Sequence, residues 1–428
     1  MKRFETTERA VRTAAPHELL DALRRALAEQ YGARAVELFM ADYSLTTLQP
    51  VSAPENTESI EHAENAENGE NTENAESTES PEGVGSAGPA VGGAEGASDV
   101  PSVHNSPAGR AFGSQEPFVQ PLRGDEGLVR VHLPVSVRGD RLGVLSVDLP
   151  DREYASAPLD ELREIAEVLG REVVVADRDT DLYLRARRRD RLTLAAEIQW
   201  QLLPGRSCSF PEYELGAQLE PAYAIHGDNF DWSAAADRLT LYVTNGMGEG
   251  TEASLLTSLA VNALRNARRA GIPLADQAAL ADQAVYAHYR GRSYLSVLML
   301  DVETATGRAR VVDAGSPQLL RLRDGVVERV HFDAQLPLGM FEETDYVAQE
   351  FQVEPGDRLV FVSDGVYAVA SPGGEAYGDA ALARAISATR LLPAAEVPRA
   401  VLRELTSHRG RPVPDDDALV LCLDWHGR

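Results

Sequence analysis

Four short stretches of this 428-residue sequence group carboxylates and glycines as a cation site would need them. They are Gly227-Asp228-Asn229-Phe230-Asp231, Val243-Thr244-Asn245-Gly246-Met247-Gly248-Glu249-Gly250, Val362-Ser363-Asp364-Gly365 and Asp415-Asp416-Asp417. Clustered carboxylates and turn carbonyls are the donors that hard divalent cations such as Mg2+ or Mn2+ take. The glycine-rich stretch says less by itself. It lacks the Lys-Ser/Thr of a phosphate-binding P-loop, and its glycine spacing is not the dinucleotide fingerprint. Alone it is a tight turn from strand to helix, with bare backbone amides and carbonyls beside any small ligand.

These stretches need elements to hold them, and each falls where a predicted strand ends or begins. Leu239, Leu241 and Val243 alternate as a strand does, and an apolar-periodic run from Ala253 to Leu264 follows the glycines. Beyond Pro204 the pattern predicts strands near 213–223, 238–244, 294–302, 308–314, 317–323, 326–332, 346–353, 358–363 and 418–424. Helices are predicted over 251–270, 273–289, 379–389 and 395–407. Strand runs with grouped helices imply an α+β fold.

The order of these motifs resembles that of the PPM-type metal-dependent protein phosphatases, in their bacterial SpoIIE/RsbU-like branch. The resemblance covers about residues 193–425. It starts at Ala195-Ala196-Glu197-Ile198-Gln199 and Leu202-Leu203-Pro204 and passes through the Gly-Asp and glycine-rich stretches. It continues through Ala314-Gly315-Ser316-Pro317, Pro337-Leu338-Gly339, Pro355-Gly356-Asp357 and Ser363-Asp364-Gly365 to Asp416-Asp417. It implies two packed antiparallel sheets flanked by helices, and two divalent ions (Mn2+ or Mg2+) sharing a water that attacks phosphorus. It implies further that Asp364 and Asp416 ligate one ion, that Gly246 offers its carbonyl to the other, and that Asp228 holds metal-bound waters. The position that bridges both ions is an aspartate in the family and Asn245 here. An amide is neutral and spans two cations poorly. Losing that charge costs several kcal/mol of metal-pair binding at an effective dielectric of roughly 20. Lesser departures are Asn229-Phe230, Glu249, Ser316 and Leu419, and His226 reads as a loop residue. The implied function is a serine/threonine phosphatase acting on a phosphorylated regulatory protein, such as an anti-sigma-factor antagonist, with a compromised metal site. The alternative is a weak or inactive phosphatase-fold protein that binds a partner.

Composition sets the remaining bounds. The formal net charge of −26 argues against nonspecific nucleic-acid binding, which needs basic surface. No apolar run approaches a membrane span, and Met1-Lys2-Arg3-Phe4-Glu5 leads into polar residues rather than a signal sequence, so a cytoplasmic protein is expected. Cys208 and Cys422 are far apart and without CxxC partners, as buried reduced thiols would be.

Three N-terminal readings follow from pattern. Residues 1–176 are expected to form a small α+β sensory domain resembling GAF, with PAS the runner-up. Its pieces are a helix from His17 to Tyr31, strands Ala35–Tyr43 and Leu45–Val51, strands Val129–Val137 and Arg141–Leu149, and a helix from Leu159 to Leu169. A glutamate at every third position from Glu55 to Glu82 suits neither helix nor strand, so 54–114 is expected to be a disordered acidic insert. Residues 177–203 are expected to be a helical linker that could pair in a homodimer, leading into a phosphatase domain over 204–428.

Overall fold

A computed structural model describes residues 2–51, 100–122, 127–151, 159–221, 223, 225, 227–378, 380–411, 414 and 416–428. Helices α1 (Lys2–Thr13) and α2 (Leu19–Tyr31) come first. Strands β1 (Ala35–Ala41) and β2 (Leu48–Pro50), helix α3 (Pro107–Ser114), then β3 (Phe118–Pro121), β4 (Leu128–Val137) and β5 (Asp140–Pro150) follow. The five strands form one antiparallel sheet in the order β2-β1-β5-β4-β3. One face packs on α1, α2 and α4 (Leu159–Ala176), through Leu23 and Leu27 of α2, Leu133 and Leu145 of the sheet, and Leu162 and Leu169 of α4. The predicted pairing of the long strands holds from Leu128↔Pro150 to Val137↔Asp140.

Two expectations for this half need correction. Residues 100–114 lie within the stretch expected to be disordered, yet they pack. Ser106 caps α3 by accepting from the Gly109 amide (2.9 Å), Pro107 opens the helix, and Val103, Ala108, Ala111 and Phe112 are buried against Phe39 and Leu48. These few apolar anchors offset the ordering entropy that the Gly/Ser composition implied would win. The remainder of the acidic insert, residues 54–99, lies outside the described residues. The linker is also not one helix. It is α5 (Leu182–Ala186) and α6 (Leu194–Leu202), with Tyr183 of α5 buried in the N-terminal core.

The C-terminal half has two further antiparallel sheets. One runs in the order β14 (Gln349–Gln352), β11 (Arg308–Ala314), β10, β9, β8, and the other in the order β13 (Val326–Val330), β12 (Gln318–Arg323), β15, β16, β7, β6 (Ser207–Ser209). The strands that matter for the site are β7 (Tyr213–Glu220), β8 (Asn229–Ala234), β9 (Arg238–Gly246), β10 (Leu295–Glu303), β15 (Arg358–Val362) and β16 (Ala418–Trp425). Leu239, Leu241 and Val243 of β9 face Leu359 and Phe361 of β15 and Leu419, Leu421 and Leu423 of β16 across the interior. Alternate residues point the other way and are covered by helices. Tyr242, Val297 and Met299 pack under α7 (Gly250–Arg269) and α8 (Leu274–Tyr289). Val360, Val420 and Cys422 pack under α10 (Ala381–Ala388) and α11 (Val397–Arg409), while α9 (Asp364–Tyr367) is a single turn after β15. The result is an α+β sandwich of two sheets between two helical layers, as expected. Among the described residues, no helix is long and apolar enough to cross a membrane.

Candidate metal and phosphate site

The site forms where one end of each sheet meets the other. Asp228 directly precedes β8, and Asn245-Gly246 ends β9 in the same sheet, with Asn229 paired to Thr244 and Asn245 to Ser296. Asp364 follows β15 and Asp416-Asp417 precedes β16 in the other sheet, where Val362 pairs with Val420. Strand pairing therefore delivers each acid to one edge of the sandwich. Glycine lets the segments close up. A Cβ on Gly365 would sit 1.7 Å from the Asp417 carbonyl oxygen, and one on Gly246 would sit 2.5 Å from Thr257 Oγ1.

Sequence reasoning placed Asp228, Asn245, Gly246, Asp364 and Asp416 together, and the fold does bring them to one place. Asp228 is 3% exposed and feels the charges of Asp417, Asp364 and Asp416. Burial first, and then the Asp417 charge, push its pKa well above the usual carboxylate range. Burial and the charge of Asp416 likewise raise Asp364, opposed by the Gly365 amide and by Asn245. Asp415 and His226 lie outside the described residues.

Several residues were not singled out from sequence. Asp417, 1% exposed, accepts the amides of Gly227 (2.7 Å) and Asp228 (3.2 Å) through Oδ2, tying the two sheets across the site. Gln199 of α6 donates to the Asp228 carbonyl (2.9 Å), and Thr257 of α7 donates to the Gly227 carbonyl (2.8 Å). Gln199 is fully buried on a helix with apolar neighbours, which only the tertiary structure reveals. Asp417 had no sequence signal, because adjacent aspartates are indistinguishable until one turns inward.

Asn245 stands where the resemblance implies a bridging aspartate. Its Nδ2 donates a hydrogen bond to Asp364 Oδ1. The amide thus presents a donor toward a carboxylate that the resemblance assigns to a metal. Among the described residues no group of three histidine, cysteine, aspartate or glutamate side chains could hold a metal ion. Asp228 Oδ2, however, is buried with no hydrogen-bond partner among the described residues. Two carboxylates, Asp364 and Asp416, with Asp228 nearby to hold water, suit one hydrated hard cation, which needs few protein ligands. They do not fit a carboxylate-bridged pair of ions.

Residues 235–426, under half of the chain, match the family model described as Stage II sporulation protein E (SpoIIE). That segment is similar to a SpoIIE-type phosphatase domain. No curated protein matches the sequence. Among solved structures, the RsbU and RsbW domains of a Mycobacterium tuberculosis protein are 23% identical, with 51% of this chain and 61% of that one covered and a TM-score of 0.45. The chain thus spans less than two thirds of that structure. The SiaA PP2C domain of Pseudomonas aeruginosa is 21% identical over 54% of this chain and 94% of its own, with a TM-score of 0.46. A PP2C phosphatase domain with part of the regulatory domain of SpoIIE from Bacillus subtilis is 13% identical over 74% and 85%, with a TM-score of 0.45.

Proposed function

We propose that the C-terminal half is a serine/threonine protein phosphatase of the SpoIIE type, weakened in its hold on metal, that acts on a phosphorylated regulatory protein such as an anti-sigma-factor antagonist. The observation that carries this reading is the convergence of Asp228, Asp364 and Asp416, the first two with pKa values raised by burial and by neighbouring carboxylates. A cation relieves that repulsion, and when bound it polarises water and neutralises phosphate charge. Asp364 and Asp416 would hold it and Asp228 would hold its water. Gln199, Thr257 and Asp417 fix the Gly227-Asp228 backbone, so the Asp228 carboxylate is positioned from three sides. The N-terminal unit is read as a GAF-like or other small α+β sensory module, and a homodimer remains part of this proposal.

A second reading rests on a different observation, the Asn245–Asp364 hydrogen bond. It ties up an anchor carboxylate, and in this reading the domain binds the phosphoprotein without hydrolysing it. Calorimetric Mn2+ titration alongside hydrolysis of a phosphoserine peptide separates the two. Under the first reading native protein turns over the peptide slowly, and Asn245→Asp raises both metal affinity and rate. Asp364→Asn in that background removes the gain. A native rate that Asn245→Asp fails to exceed would sink the bridging argument. Absence of Mn2+ binding by either form leaves the second reading.

A further inference from the structure

A cleft of about 600 Å3 lies between the N-terminal sheet and the C-terminal sandwich, within the range of small-molecule sites. It is away from the Asp228–Asp364 cluster and shares none of its residues. Its lining carries four arginines, Arg110, Arg141, Arg206 and Arg399, against two carboxylates, in a chain whose net charge is −26.

Both carboxylates are already engaged. Asp140 Oδ1 accepts the amides of Arg206 (3.2 Å) and Ser207 (3.3 Å), and Glu396 pairs with Arg141 at 3.1 Å. Arg206 is also satisfied in part, donating to the Tyr43 carbonyl (2.9 Å) over the Trp200 ring. Arg110 and Arg399 differ. Arg110 lies over the Phe118 ring, 5.3 Å from its centroid, and Arg399 Nη2 is 2.6 Å from His104 Nδ1. Among the described residues neither guanidinium has a carboxylate within ion-pair distance. Burial holds the pKa of Arg399 below its usual value, with the charges of Glu396, Glu220 and Asp42 opposing that shift and Arg403 adding to it. Arg110 and His104 come from the N-terminal unit and Arg399 from α11, so an anion between them would touch both halves.

We propose that this cleft binds a small phosphate-bearing molecule of nucleotide size, gripped by Arg110 and Arg399 and bridging the two units. A phosphate group carries more than one negative charge and several acceptor oxygens, which matches two guanidiniums without a carboxylate at ion-pair distance better than a lone carboxylate does. Half-buried Phe118 supplies apolar surface for the rest of the ligand.

The test titrates ADP and pyrophosphate into the full-length chain by calorimetry with EDTA present, so that no cation at the acidic cluster can recruit phosphate. Saturable binding is expected, weakened about tenfold by Arg110→Gln and by Arg399→Gln, as loss of one charge-assisted contact implies. Arg110 is exposed, so its substitution keeps the test decisive even if Arg399→Gln perturbs folding. Binding that ignores both substitutions, or no binding of either probe at millimolar concentration, overturns the proposal. Phosphopeptide hydrolysis is read separately with Mn2+, so failure here leaves the phosphatase reading untouched.

Discussion

Asn245 sets what the acidic cluster can do without a cation. Its amide donates to Asp364 where a carboxylate would repel it. Asn245→Asp is therefore expected to destabilise the metal-free protein by about 1–2 kcal/mol, since it replaces a hydrogen bond with a half-buried like-charge pair. Excess Mn2+ should more than restore the loss. Thermal melts with EDTA and with Mn2+ measure both, and a variant as stable as native protein in EDTA would contradict the geometry. His132 gives a second residue-scale prediction. It is 5% exposed beside Ser146 Oγ (2.8 Å), and burial, then Arg130, lower its pKa to about 4. Below the usual value near 6.5 the unfolded chain takes up a proton that the folded chain refuses. Stability is thus present above that pH and falls as pH drops toward about 4, by up to about 3 kcal/mol. Urea unfolding at pH 7 and pH 4.5 should show this loss, and His132→Gln should reduce it.

Among the elements, α6 and β8 are tied to α7 by buried charge. Arg265 of α7 donates to Asp231 Oδ1 (2.7 Å) and to the Leu202 carbonyl (2.6 Å), while Arg268 lies 2.9 Å from Asp231 Oδ2 and over the Tyr242 ring. Arg265→Ala leaves the 2%-exposed Asp231 with half of its compensation, and a loss of about 3 kcal/mol is expected by chemical denaturation. The same network explains why β8 escaped the sequence pattern. Asn229 and Asp231 are buried polar residues on a strand, so no apolar alternation marks it. Helix α3, by contrast, was readable. Ser106-Pro107 is a cap followed by proline at the first helical turn, but the surrounding Gly/Ser/Pro composition outweighed that local signal.

At the scale of the whole chain, contacts between the halves run from the β1–β2 turn to the loop before β8. Tyr223 OH donates to Asp42 Oδ2 (3.2 Å), and the Tyr43 and Trp200 rings lie 4.6 Å apart. Residues 100–114 belong to this body. Deleting 52–99 leaves all of the described contacts of 100–114 in place and is expected to move the thermal midpoint by less than about 5 °C. Extending the deletion to Ser114 removes the buried Val103, Ala111 and Phe112 and should cost at least about 3 kcal/mol. Equal midpoints for the two deletions would count against the packing of α3. The homodimer reading is checked by light scattering of the full-length protein at tens of micromolar, where a strict monomer removes it.

The sequence by itself determined the elements that repeat a strong period: the β9 strand and its glycine turn, helices α7 and α8, and the strands that end just before Ser363-Asp364 and begin after Asp416-Asp417. It also determined that position 245 lacks a carboxylate, which no packing can alter. Tertiary structure decided the rest, because those outcomes depend on residues far apart in sequence. Asp417 rather than Asp416 clamps Gly227-Asp228, a choice made by the pairing of β16 with β7 and β15, which turns one aspartate inward. The role of Gln199 exists only once α6 docks on α7, and the cationic cleft exists only once α3 meets α11 across the two halves. Periodicity reports which face of an element is apolar. It carries no information on which polar residues of distant elements will share a desolvated space.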